Sequence, residues 1–210
     1  MKNKFGFILV KPQLGENIGA CARSMKNFGF SNLNIVSPKF AFPNHKTRVT
    51  AVGAFNVINK AKVFNTTLDA VDKFDIVISL SARRRDINKK HITMKDFFHI
   101  LKKKRNTKIG LMFGPEASGL SNADLSFSNY ILQIPTSKKF KSLNLSHSVT
   151  LICYEIFKSI KNNTFNKIGK KIKISSKSNV SLLVNHLIKL LEKKYFFLPS
   201  EKKQSMILNI

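Results

Sequence analysis

IGLMFGPEASGL, residues 109–120, is an apolar run that breaks into a turn of glycine, proline and one carboxylate, Glu116. Residues 109–113 have the length and near-continuous apolar character of a strand buried on both faces, as in a parallel sheet. In such sheets the loops at the carboxyl ends of the strands form the ligand crevice. The turn is therefore a candidate site. It is neither GxGxxG nor a Walker loop, which argues against a dinucleotide or P-loop nucleotide. An ordinary strand-to-helix turn is the other way to read it.

The same alternation extends outward in both directions. FGFILV at 5–10 ends at Lys11-Pro12 and has the same buried-strand character. Residues 17–28 place Ile18, Cys21, Ala22, Met25 and Phe28 at helical spacing, with Gly29 as the stop signal. Short strands are expected at 33–36, 63–64, 75–80 and 130–134. One helix is expected over 45–60, burying Val49, Val52, Ala54, Val57 and Ile58. Thr67 is expected to cap a helix through 74, Thr93 one carrying Phe97 and Leu101, and a longer helix covers 144–160. Strands alternating with helices predict an α/β fold, a parallel sheet flanked by helices. Its main domain is expected over 1–160, followed by a basic linker over 161–178 and a C-terminal helical extension over 179–210.

Two further segments carry polar chemistry. In residues 12–30, PQLGENIGACARSMKNFGF, glycines and small residues permit close backbone approach at the start of a helix bearing Arg23. A tightly packed helix with an exposed arginine accounts for it equally well. In residues 132–149, LQIPTSKKFKSLNLSHSV, a basic loop with Lys138, Lys139 and Lys141 leads into Ser142, Asn144, Ser146 and His147. Capping explains Ser142 or Asn144 alone, not the whole cluster.

Composition narrows the partners. Lys and Arg number 37 against 11 Asp and Glu, a net charge of +26. Such an excess attracts polyanions, nucleic acid or an anionic membrane surface. Lys, Asn, Ile and Phe are abundant together, as an AT-rich genome also produces, so charge alone does not decide function. No apolar run approaches the roughly 18 residues that span a bilayer. The apolar run at 5–10 is short for a signal peptide, and no small-residue cleavage site follows. The two cysteines, Cys21 and Cys153, lie far apart without a CxxC pair. They read as buried free thiols of a reducing cytoplasm. The five histidines have no ligand spacing, so no metal is expected.

Taken together, the three segments resemble the signature motifs of the SPOUT methyltransferases, specifically the TrmH-like branch. The first motif of that family pairs an Asn with an Arg six residues on, here Asn17 and Arg23. The second has the form FGxExxGL, here residues 113–120. The third is built on SLN before a helix, here Ser142, Leu143 and Asn144. The fragment SLSAR at 79–83 resembles the family's loop after the preceding strand.

The resemblance implies a C-terminal deep trefoil knot, which general rules of chain connection do not suggest. It implies a homodimer and an S-adenosyl-L-methionine-dependent RNA ribose 2′-O-methyltransferase. The target implied is cytidine or uridine of the tRNA anticodon loop. An rRNA methyltransferase of the same family, or a non-catalytic RNA-binding protein, stands as the alternative. By the same resemblance Arg23 is the main catalytic residue, with Asn17, Glu116 and Asn144 beside it. Asn17 is expected to anchor Arg23 or the RNA backbone, and Glu116 to fix Arg23 or the cofactor loop. The cofactor would be held by Gly114, Ile134, Lys141, Ser142 and Leu143, with Ser79, Leu80 and Ser81 as the opposite wall. Arg83, Arg84, Arg85, Lys89, Lys90 and the 138–141 loop form the expected RNA surface. The segment from Tyr195 onward resembles the start of a helical extension cut short.

Overall fold

The computed structural model describes residues 2–83, 87–103, 107–162 and 175–210. After a 3₁₀ turn at Lys2–Lys4 come β1 (Phe5–Val10), α1 (Gly15–Asn27), β2 (Leu33–Val36), α2 (His45–Thr50) and α3 (Phe55–Asn59). The chain continues through β3 (Lys62–Phe64), α4 (Thr67–Val71), β4 (Ile76–Leu80), β5 (Lys90–Ile92) and α5 (Met94–Lys103). Then follow β6 (Ile109–Phe113), α6 (Asn122–Ser126), β7 (Tyr130–Leu132) and α7 (Leu145–Lys161). The last elements are α8 (Lys177–Lys193), a 3₁₀ turn at Ser200–Lys202 and α9 (Lys203–Leu208).

The strands form one seven-stranded sheet in the order β3-β2-β1-β6-β4-β7-β5. All six pairings are parallel. β1 is an interior strand buried on both faces, which is why its sequence shows no alternation. Its residues nevertheless split by pleat. Phe5, Phe7 and Leu9 join the core under α1 and α7, whereas Ile8 and Val10 join a second core with Val71 and Phe74. Gly6 pairs with Gly110 in the ladder. A Cβ on Gly6 would stand 2.2 Å from the Phe74 ring, so the paired glycines make the seat for that ring.

α1 ends in a Schellman motif. The Phe30 N–H donates to the Met25 carbonyl (2.8 Å) and the Gly29 N–H to Lys26 (2.9 Å), with Gly29 at φ +77°. The glycines at the start of α1 serve packing between helices. A Cβ on Gly19 would meet the Thr47 carbonyl of α2 at 2.5 Å, and one on Gly15 would meet the side chains of Asn44 and Thr47. α7 lies on the other flank of α1, where the Ser24 and Thr150 hydroxyls are 2.6 Å apart.

Several local expectations are corrected. The single helix over 45–60 is two short helices, because Gly53 turns the chain at φ +72°. Val49 and Val52 consequently face solvent. Thr66, not Thr67, caps α4 by accepting from the Asp69 N–H (3.2 Å). Thr67 is buried and donates to Asp124 at 2.7 Å. β5 and α6 were not anticipated; α6 opens with a Ser121–Asp124 capping box. The expected 130–134 strand stops at Leu132, and the terminal helix starts at Lys177. Residues 163–174 of the expected linker lie outside the described residues.

Two lysines are held in partly dry surroundings. Lys73 donates to the Asn34 Oδ1, and burial, reinforced by Lys62 and Lys108, pulls its pKa down to about 8. Lys177 donates to the Asn129 Oδ1 at 2.7 Å, and burial followed by the charge of Lys89 lowers it to about 8 as well. No helix among the described residues is long and apolar enough to cross a membrane.

Candidate active site

The three polar segments meet at the carboxyl edge of the sheet. Asn17 lies in the first turn of α1 and is only 8% exposed. Its Nδ2 donates to the Glu116 Oε1 at 2.8 Å, and its Oδ1 accepts from the Asn144 Nδ2 at 3.1 Å. The second Glu116 oxygen accepts the Gln13 N–H at 2.9 Å, while the Gln13 side chain accepts the Ala117 N–H at 3.1 Å. Asn144 caps α7, its Oδ1 accepting from the Ser146 N–H (2.8 Å) and hydroxyl (2.7 Å). One asparagine thus clamps the second segment, 99 residues away, to the third, 127 residues away. The carboxylate reaches one turn further along α1. Burial first, and the Glu116 charge second, push the Cys21 thiol pKa up.

Beside this clamp is a cavity of about 420 Å³ at the ends of β4, β6 and β7. Of the eight positions expected to hold a cofactor, Leu80, Ser81, Gly114, Ile134, Lys141, Ser142 and Leu143 line it. Ser79 does not: it is fully buried in β4, with its hydroxyl bonded to that of Ser128. Glu116 lines the cavity, whereas Asn17 and Asn144 brace it from behind. The lining is mixed, with apolar Leu80, Ile134 and Leu143 alongside Ser81 and Ser142; the Ser81 hydroxyl donates to the Arg83 carbonyl at 2.9 Å. At Gly114 the strand end and the following turn nearly touch: a Cβ there would stand 2.2 Å from the Leu120 nitrogen.

Arg23 lies apart from these residues within one chain. It is exposed on α1, makes no hydrogen bond or ion pair among the described residues, and does not line the cavity. Neither Asn17 nor Glu116 holds it; they hold each other. Six residues of helix separate Arg23 from Asn17, which rotates it about 240° around α1. Arg83 and the Lys138–Lys141 residues stand at the cavity rim. Arg84 and Arg85 lie outside the described residues. Gln13 was not singled out from the sequence although it sits in the first segment; nothing in its context marks a side chain that would reach 104 residues along the chain. Among the described residues, no group of three His, Cys, Asp or Glu side chains is placed to hold a metal ion.

A parallel sheet with a cavity at its carboxyl edge is the arrangement in which α/β proteins commonly bind small molecules. The sequence profile of the SpoU rRNA Methylase family matches residues 4–154, and the chain belongs to that family, within the SPOUT superfamily. It is 36% identical over 201 residues to "tRNA (cytidine-2'-O-)-methyltransferase TrmJ" of Methanocaldococcus jannaschii, covering 94% of this chain and 85% of that one. It is 32% identical over 161 residues to "tRNA (cytidine/uridine/adenosine-2'-O-)-methyltransferase TrmJ" of Pseudomonas aeruginosa, covering 74% of this chain and 61% of that longer one. The crystal structure of TrmJ from Z. mobilis ZM4 superposes with a TM-score of 0.84 at 31% identity, covering 97% of this chain and 86% of that one.

Proposed function

We propose that the protein transfers a methyl group from S-adenosyl-L-methionine to a ribose 2′-oxygen of tRNA. The observation that carries the reading is the Asn17–Glu116–Asn144 clamp, which joins the family's three motif segments beside one cavity. The cofactor fits that cavity's chemistry. Leu80, Ile134 and Leu143 offer apolar walls for a flat base, Ser81 and Ser142 offer partners for ribose hydroxyls, and the Glu116 carboxylate complements a positive sulfonium. The close approach at Gly114 keeps the turn's backbone against the strand end.

When bound, the cofactor would supply the methyl group from its sulfonium and leave as S-adenosylhomocysteine, and the 2′-hydroxyl proton would pass to solvent water. The chain's own contribution is mostly positioning. Asn17 fixes Glu116 and Asn144, so that the turn at 114–120 and the start of α7 keep one spacing. Arg23 binds the ribose or its phosphate and stabilises charge developing on the oxygen. It does not act as a base, since a guanidinium keeps its proton above pH ~12. Because Arg23 lies outside the cavity, the reading includes a homodimer in which Arg23 of the partner subunit completes the site. Exposed Leu151 (41%) and Tyr154 (46%) on α7, next to α1, support a contact there.

The reading also includes a trefoil knot formed by the segments after β6 and β7. Its support is the strand order, in which β6 and β7 insert between strands laid down earlier. The finer target, cytidine or uridine, rests on the family resemblance and the names of the relatives; the anticodon loop rests on the resemblance alone, and a cytoplasmic location on the free thiols Cys21 and Cys153. A second reading, transfer to rRNA, is favoured by the family's own description. The test is incubation with labelled S-adenosylmethionine and, separately, bulk tRNA and rRNA, with the label mapped by mass spectrometry. Label on a tRNA ribose supports the proposal. Label only on rRNA moves the function to the second reading, and no label on either rejects both.

A further inference from the structure

Phe140 is out of place by ordinary packing rules. It is 77% exposed, in the loop between β7 and α7, with lysines at 138, 139 and 141. All four residues line the rim of the cavity. The other strongly exposed aromatic rings have company or lie elsewhere. Tyr154 packs against Phe28, Phe196 packs against Phe197, and Tyr195 follows α8. Phe140 stacks on no other ring among the described residues. A bare phenyl ring at the mouth of this cavity, among lysines, is a surface suited to a flat partner. Three ammonium groups within one residue of it, or two, select a partner that is also polyanionic.

We propose that Phe140 is a stacking platform for an unpaired nucleobase of the RNA substrate, with Lys138, Lys139 and Lys141 holding the phosphates on either side. The inference rests on the RNA reading above and names a contact that reading lacks. Single-stranded RNA is held in this manner generally: cations track the backbone, and aromatic faces take the bases. Stacking is indifferent to hydrogen-bonding pattern, so Phe140 anchors the strand without selecting among bases. The loop joins the cavity to α7 through Ser142, Leu143 and Asn144. A base seated on Phe140 therefore lies within a few residues of the cofactor wall.

The chain contains no tryptophan, so Phe140→Trp creates a single fluorescent reporter at the proposed contact. Titration with a short unpaired oligoribonucleotide is expected to quench that emission. An abasic strand of the same length, which keeps the phosphates, is expected to leave it nearly unchanged. Phe140→Ala is expected to raise the KM for tRNA by roughly tenfold to a hundredfold, the range for loss of one stacked base. Cofactor affinity is expected to hold, and Phe140→Trp to restore the KM. Equal quenching by the abasic strand would overturn the proposal in favour of lysine attraction alone. Quenching by S-adenosylhomocysteine without RNA would assign the ring to the cofactor and overturn it too, as would an unchanged KM in Phe140→Ala. The binding titration does not require turnover. Failure of stacking in an active enzyme is thereby distinct from failure of the methyl-transfer reading itself.

Discussion

Gly114→Ala is the smallest change that tests the cavity. The added Cβ would stand 2.2 Å from the Leu120 nitrogen, 2.4 Å from the Gly119 carbonyl carbon and 2.9 Å from the Gly119 Cα. All three are backbone atoms, so no side chain can swing away. The turn at 114–120 must move relative to β6, and Glu116 moves with it. Overpacking of this kind costs about 1–3 kcal/mol. For a chain of this size that corresponds to a Tm loss of roughly 2–12 °C, at about 2–4 °C per kcal/mol. The larger effect is expected in the site, because the displaced turn forms one cavity wall and one arm of the clamp. Isothermal titration with S-adenosylhomocysteine is expected to show at least tenfold weaker binding in a variant that remains folded by circular dichroism. Unaltered affinity in a folded Gly114→Ala protein would refute the placement of the cofactor against this turn.

The clamp gives a second prediction. Asn17→Ala leaves a Glu116 oxygen and the Asn144 amide without their partner, a loss of about 1–3 kcal/mol that a urea melt will read; a change below about 0.5 kcal/mol would mean that the bonds at 2.8 and 3.1 Å contribute nothing net. Arg23→Ala is expected to cut turnover by about a hundredfold or more, as for other lost charge-stabilising donors, while cofactor affinity stays within about twofold. Lost cofactor binding would instead tie Arg23 to the pocket. Lys73 and Lys177 set a pH signature. Each has a folded-state pKa near 8 against an ordinary 10.5, so between those values the folded chain binds fewer protons than the unfolded one. Their contribution to stability therefore rises with pH across that window. The wild type is expected to gain on a Lys73→Met, Lys177→Met double variant as pH rises from 8 to 10.5, and parallel stability curves would contradict the burial assigned to both groups.

How much could be read from the chain depended on whether the signal was local. β1 and β6 were legible because strands buried on both faces are continuous apolar runs. The KHI strand β5 was not, since it is an edge strand with only Ile92 buried, and three residues give no period. The 45–60 segment misled because Val49, Val52, Val57 and Ile58 mimic a helical stripe, whereas Gly53 adopts a positive φ that ends it. α6 does carry a local signal, the Ser121–Asp124 capping box in front of it. In the site, Gly114, Ser142 and Leu143 followed from the motifs. The direct Asn17–Glu116 bond did not, because the sequence offers no measure of which of two polar groups a carboxylate prefers at a separation of 99 residues. The close approach that the glycines of α1 permit is made by α2 and its cap. Ser79 was assigned to the wall because it precedes Leu80 and Ser81, but alternation along β4 turns its hydroxyl inward to Ser128.

The central claim is that the acceptor is a ribose 2′-oxygen. Once a methylated nucleotide has been mapped, the most direct measurement uses a synthetic tRNA carrying a single 2′-deoxy substitution at that nucleotide and no other change. The account predicts that methyl transfer to this RNA is abolished while its binding to the protein stays near that of the unsubstituted RNA. Methylation that persists at the same nucleotide would put the methyl group on the base and contradict the account.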